Sequence, residues 1–213
     1  MSIRFLSLSG LVLIPLLGFS MCAIALIIER LFFWWRIQRQ QTRVIQEFLA
    51  RYPDNPQGAI PLLEKHENLP LARIFLAALE LNHPTPEEFR LALESAAQAE
   101  MPLLKRFNTV FETIIAVAPL LGLLGTILGL IESFAALKIG DVGGTNSAGV
   151  SAGISDALVT TAVGLIVAIA TLLFANLFRG LYRRQLALIQ RYGGQLELFY
   201  RNSSFLRDRF SAD

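Results

Sequence analysis

One cysteine, Cys22, and two widely separated histidines, His66 and His83, are all that the 213 residues offer for disulfide or soft-metal chemistry. A single cysteine closes no intramolecular disulfide, and no Cys/His spacing of a metal site occurs. Cys22 is also unsuited to lipid attachment. Met21 precedes it where a small residue is expected, and the apolar run continues well past it. No Ser/His/Asp arrangement, metal cluster or phosphate-binding loop is present, so the chain is not expected to be an enzyme or to carry a cofactor or metal. Charge is scarce as well. Charged residues make up 17% of the chain and the formal net charge is +2, which gives no case for nucleic acid. Hydrophobic residues make up 54%, and the mean hydropathy is +0.51. A soluble domain of this size is less apolar and more charged. The excess therefore belongs in lipid-facing segments.

Three stretches lack charge for long enough to cross a bilayer: 5–28, 113–131 and 157–178. Each is close to the ~20 residues that span ~30 Å of hydrocarbon. No β-barrel alternation appears, so helices must satisfy the backbone in lipid. The first run is too long for a secretory h-region and shows no small-residue cleavage site. It continues through Glu29 and Arg30 into Phe32, Phe33, Trp34 and Trp35, the composition of an interfacial belt. The expected fold is all-α: an integral membrane protein with three transmembrane helices and long helices extending into the cytoplasm.

Placement of Lys and Arg sets the direction. Arg30, Arg36, Arg39 and Arg43 follow span one, and Lys105 and Arg106 precede span two. Arg179, Arg183, Arg184 and Arg191 follow span three. The link between spans two and three has only Lys138, offset by Asp141, and Arg4 is a minor exception. The expected order is transmembrane helix 1 over 1–35, a cytoplasmic helical region over 36–106 and transmembrane helix 2 over 107–137. A periplasmic loop over 138–150, transmembrane helix 3 over 151–180 and a cytoplasmic tail over 181–213 follow. The N-terminus is then periplasmic and the C-terminus cytoplasmic.

Within 36–106, breaks are expected at Tyr52-Pro53-Asp54-Asn55-Pro56 and at His83-Pro84. Thr85-Pro86-Glu87-Glu88 reads as a helix start, with Thr85 as cap, Pro86 in the first turn and Glu88 reaching back. Few stop signals follow until Gly140, although Pro102 and Pro119 would kink the helix. A nearly continuous helix from Pro86 to residue 137 would be about 78 Å long. Leu91, Leu104, Phe107 and Phe111 would then need partners, either neighbouring subunits or a bundle within one chain. The aromatic tail, with Tyr182, Tyr192, Phe199 and Phe210, is expected to extend as a helix, packed in the cytoplasm or against lipid.

On a helical wheel, Ala118, Gly122, Thr126, Gly129 and Ser133 share one face of span two. Gly153, Ala157, Thr161, Gly164, Ala168 and Ala175 repeat similarly in span three, beside Asp156 and Thr160. Small residues serve close helix packing. Threonines on consecutive stripes, with a carboxylate at one end, favour a partly hydrated interior surface. Ionisable groups at membrane depth are functional candidates. Asp156 is the strongest. Glu112 and Glu132 lie near span ends, where they reach the headgroups.

The block "APLLGLLGTILGLIESF" (118–134), followed after a short loop by "GISDALVTTAVGLIVAI" (153–169), resembles the ExbB/TolQ/MotA proton-channel family, its ExbB and TolQ branch most of all. The resemblance implies a homo-oligomer, a pentamer in this family, around single-span helices of the ExbD/TolR type that carry a proton-binding aspartate. It implies a stator of the bacterial inner membrane that energises a periplasmic partner of the TonB or TolA type. The family's pore threonines map onto Thr126 and Thr161, and its proline before G-L-x-G-T onto Pro119, a structural kink. Its acidic position after G-I-x maps onto Asp156, where glutamate is common in ExbB-like sequences. Thr160, Gly122, Gly129 and Gly164 fall in the same blocks and complete the expected pore-lining set. Threonine does not titrate near neutral pH, and the middle of spans two and three has no titratable side chain, so the protonatable group must come from elsewhere. Two rival readings stand: a non-conducting membrane scaffold, in which the stripes only pack, and a transporter subunit. Against the latter, no inverted repeat is visible.

Overall fold

A computed structural model describes residues 8–135 and 147–211, with side chains placed for 12–135, 151 and 153–202. The start of span one, Arg4, Lys138, Gly140, Asp141 and the Phe210 side chain lie outside the described residues. Among the described residues six helices follow one another: α1 Leu8–Arg51, α2 Pro56–Glu64, α3 Pro70–Leu79, α4 Pro86–Leu104, α5 Asn108–Ala135 and α6 Ser147–Ser211. No strand occurs among the described residues. Among the described residues three stretches are long and apolar enough to cross a membrane: Val12–Arg51, Pro86–Ala135 and Gly153–Asn202. The all-α, three-span architecture expected from the charge-free runs is therefore present.

Two of the three long apolar stretches differ from the third. α1 and α6 run unbroken for 44 and 65 residues. The expected continuous helix from Pro86 onward does not form. It stops at Leu104, and Phe107 takes φ 68°. No right-handed helix continues through a left-handed residue, and for a bulky side chain that conformation is costly. α5 restarts at Asn108. Pro119, by contrast, is accommodated inside α5.

The chain divides into two compact units. The first comprises Met1–Arg30 and Phe107–Phe178. Among its described residues, Leu16 and Ala23 of α1, Ile114 and Ala118 of α5, and Val167 and Ala168 of α6 form one buried cluster. Phe111 packs on Phe178 with ring centroids 5.8 Å apart. Arg30 is buried, its Nε 3.6 Å from the Glu29 carboxylate and its guanidinium 5.4 Å from the Phe107 ring centroid. Outward-facing Leu120, Ile127, Phe134, Leu158, Ile166 and Leu173 remain exposed. That distribution suits a hydrocarbon solvent rather than water.

The second unit comprises Leu31–Arg106 and Arg179–Asp213. Its helices are amphipathic and close around Ile45, Phe48, Leu63, Phe75 and Leu196, all fully buried. The turn at 52–55 ends with Asn55 accepting from the Gly58 amide at 2.9 Å. At α4 the expected capping box is complete. The Thr85 hydroxyl accepts from the Glu88 amide at 3.3 Å, and the Thr85 amide donates to the Glu88 carboxylate at 2.7 Å. The Thr85 amide, and then the Thr85 hydroxyl donating at 2.9 Å, hold the Glu88 carboxyl below its usual range. Arg73 of α3 donates two bonds to Glu100 of α4, at 2.7 and 2.6 Å. The amides of Gln41 and Gln185 pair reciprocally at 2.9 and 3.1 Å inside the unit. Tyr200 stacks on Phe89 at 4.1 Å and donates to the Pro84 carbonyl at 2.7 Å.

Much of the apolar surface expected to need partners is satisfied within the chain. Leu104 and Phe111 are buried and Phe107 is half-buried, whereas Leu91 stays exposed.

Candidate functional site

In the structure five small residues of α5 form one stripe: Ala118, Gly122, Gly125, Gly129 and Ser133. All five are buried. They meet α6 running the opposite way. A Cβ added to Gly164 would stand 2.6 Å from the Ala118 carbonyl oxygen and 3.2 Å from the Gly122 Cα. One on Gly122 would stand 3.0 Å from the Thr161 Cα, and one on Gly125 would stand 2.5 Å from the Thr160 hydroxyl. One on Gly129 would stand 2.7 Å from the Ala157 Cβ, and one on Gly153 would collide with the Ser133 hydroxyl. The two helices form an antiparallel zipper whose teeth are hydrogens and methyls. Only residues without a side chain permit that approach, and in lipid close van der Waals contact is what holds helices together.

The zipper fixes the threonines. The Thr161 hydroxyl, half-buried, donates across the seam to the Gly122 carbonyl at 2.8 Å. Thr160 is buried and donates to Ala157 of its own helix at 2.7 Å. Thr126 is half-buried and donates to Leu123 of its own helix at 2.6 Å. Ser133 and Thr171, also buried, donate to Gly129 and Val167 at 2.8 and 2.7 Å. Each of these hydroxyl protons is thus committed to a backbone carbonyl. A hydroxyl oxygen so engaged keeps lone pairs and acts toward any further group as an acceptor.

The structure separates the expected site residues into four sets. Gly122, Gly129, Gly164 and Thr160 lie in the seam between α5 and α6 of one chain. Thr161 bridges that seam from its edge, and Thr126 sits beside it, its hydroxyl turned to its own helix. Asp156 is exposed at the end of the seam, next to Ala157. Pro119 follows the seam residue Ala118 within α5 and is half-buried. Gly125 is the member that the helical wheel missed. The wheel placed Thr126 on the packed stripe, but the packed series is Gly122, Gly125, Gly129. Its 3–4 alternation in glycine alone was the available signal. Among the described residues no cluster of metal-ligating side chains occurs.

Comparison with known proteins bears on this geometry. The sequence profile of the MotA/TolQ/ExbB proton channel family matches residues 66–191, more than half of the chain. A Synechocystis protein named putative biopolymer transport protein ExbB-like 3 is 62% identical over 192 residues, covering 90% of this chain and 91% of that one. A second from the same organism, ExbB-like 1, is 42% identical, covering 90% and 76%. The biopolymer transport protein ExbB of Salmonella typhimurium is 36% identical over 99 residues, 46% of this chain and 40% of that one. With its three apolar spans and the zipper that joins two of them, this membrane protein belongs to the MotA/TolQ/ExbB proton channel family.

Proposed function

We propose that this chain is the channel-forming stator subunit of an inner-membrane motor. Five copies surround single-span helices of the ExbD/TolR type, and the proton-motive force drives a TonB- or TolA-like periplasmic partner. Its role is import across the outer membrane or maintenance of that membrane. The N-terminus and the link between α5 and α6 face the periplasm. The arginine-rich segments face the cytoplasm, because Arg36, Arg39, Arg43, Lys105, Arg106, Arg183 and Arg184 gather on that side.

The observation that carries this reading is the Thr161 hydroxyl. Its proton is bound to Gly122 across the seam, so its oxygen presents lone pairs at half-buried depth. Residues 113–131 and 157–178 contain no titratable carboxylate or base to store a proton. A protonated carboxylic acid from another polypeptide would donate its O–H to such an acceptor. Thr126, beside the seam, supplies a second acceptor, and Asp156 gives the path an acidic outer end. Thr160, Gly122, Gly129 and Gly164 keep the lining helices in contact, and Pro119 bends the inner end of α5. Each proton that falls through the potential supplies about 2.3 kcal/mol per 100 mV.

The test is proton flux in liposomes holding the chain together with its single-span partner. Thr161→Val keeps the shape and removes the acceptor. Flux is expected to fall about tenfold, equivalent to ~1.4 kcal/mol on the barrier, with assembly intact. Thr161→Ser should restore most of it. Undiminished flux in the valine variant would overturn the assignment. The scaffold reading draws support from one feature, that packing alone accounts for the seam glycines. It expects both variants to assemble and neither to conduct more than a bare bilayer.

A further inference from the structure

The arginines that set the orientation do not scatter around α1. Phe32, Trp35, Arg39 and Arg43 follow at intervals of 3, 4 and 4 and share one helical face, with Arg36 at its margin. Phe32 and Trp35 are among the most exposed large hydrophobic residues, at 68% and 60%. Their neighbour Trp34 is 3% exposed and packs edge-on against Phe33 at 5.5 Å. The outward turn of Trp35 is thus specific to its face. Arg39 completes the arrangement. Its guanidinium lies 5.2 Å from the Trp35 ring centroid, so the side chain is folded back one turn toward Phe32. Arg36 and Arg43 are exposed. No acidic residue occurs between Glu29 and Glu47, so this stretch of α1 is itself net positive.

We propose that this face is a binding site for the headgroup of an anionic phospholipid. Trp35 lies seven residues after the charge-free run 5–28 ends, about 10 Å of helix. Indole belongs at headgroup level, where its body meets acyl chains and its N–H meets water. A guanidinium stacked on that ring presents its remaining donors to a phosphodiester in a fixed fork, a geometry that suits phosphate. Phe32, one turn nearer the span, covers the upper acyl chain. An exposed tryptophan and phenylalanine next to three arginines make a poor water-facing surface. They match a surface that is apolar on one side and negatively charged on the other. The inference needs only that α1 crosses a membrane and is independent of proton conduction.

Two tryptophans, Trp34 and Trp35, make the site readable. The full chain, with Trp34→Phe, is reconstituted in vesicles containing brominated phosphatidylglycerol or brominated phosphatidylcholine at equal mole fraction. Bromine quenches indole on contact. Preferential quenching by phosphatidylglycerol is expected, at roughly fivefold per arginine engaged. High salt should reduce the preference, and Arg36→Gln/Arg39→Gln/Arg43→Gln should bring it close to one. The salt titration uses intact arginines, so a folding defect in the charge variant cannot mimic the result. Trp35→Phe in the native background should leave only the weakly quenched Trp34 emission. Equal quenching by both lipids would overturn the proposal and leave a simple apolar annulus. Absence of quenching by either would also overturn it, because a second copy of the chain or another protein would then cover the face.

Discussion

Gly164→Ala tests the zipper with one carbon atom. The new Cβ would stand 2.6 Å from the Ala118 carbonyl oxygen and 3.2 Å from the Gly122 Cα, both backbone atoms that no rotamer can move. Restoring ordinary contact requires α5 and α6 to part by about 0.8 Å at this level. That motion would stretch the 2.8 Å Thr161–Gly122 bond to about 3.6 Å, where it no longer counts as a hydrogen bond. Overpacking costs about 1–3 kcal/mol, and an interhelical bond in a membrane contributes about 0.6–1.7 kcal/mol. Alanine returns about 1 kcal/mol of helix propensity, so a net loss of about 1–3 kcal/mol is expected. Gly18→Ala is the control, since a Cβ there meets nothing within 4 Å. It should be neutral or stabilising by up to about 1 kcal/mol. Unfolding by sodium dodecyl sulfate in mixed micelles, followed by circular dichroism, measures both. Equal stability of the two variants would refute the close approach of α5 and α6.

Gln41→Leu leaves the Gln185 amide buried without its reciprocal partner and should cost about 1–3 kcal/mol. Gln41→Leu/Gln185→Leu should recover most of that loss, and a double-mutant cycle measures the coupling. The Leu71 amide, which donates to Gln41 at 3.4 Å, sets the part that is not recovered. At α4, hydrogen bonds from the Thr85 backbone and then its side chain lower the Glu88 pKa. A depressed carboxyl stabilises the fold above its unfolded pKa, and that stabilisation is lost as pH falls through the lower, folded value. Glu88→Gln should therefore flatten the acid side of the thermal-midpoint profile relative to the parent protein. An unchanged acid slope would show that the capping bonds do not persist in solution.

What the sequence made legible is what depends on near neighbours. The three spans follow from the absence of charge over about 20 residues. The capping box follows from four adjacent residues whose chemistry is complete in itself. The end of α4 does not, because Lys105-Arg106-Phe107 carries none of the glycine or proline that marks a break. Phe107 adopts a left-handed conformation with Arg30 stacked on its ring, from a helix far away in sequence. Such strain persists only where surrounding structure over-determines it. The candidate site divides in the same way. Periodicity put Thr161 and Gly122 on facing stripes, but nothing local pairs residues 39 apart. It also put Thr126 in the seam, one residue from the Gly125 that occupies it.

That one-residue difference matters to how a proton would be handled. Had Thr126 been a tooth of the zipper, its methyl would have held the helices apart and its hydroxyl would have been sealed between them. Gly125 takes that place and lets α5 and α6 touch, which leaves Thr126 half-buried at the margin. Thr161 lies at the same depth of burial, and both hydroxyl protons are already given to carbonyls. Oxygens that offer only lone pairs stabilise a neutral carboxylic acid over its carboxylate, which raises the pKa of an acid placed against them. In the proposed pore, the glycine seam therefore does more than join two spans. It commits the Thr161 hydroxyl proton to Gly122, so that the remaining lone pairs favour holding a proton on a visiting carboxyl group. Release must then come from moving that group away from the threonines rather than from any titration within this chain.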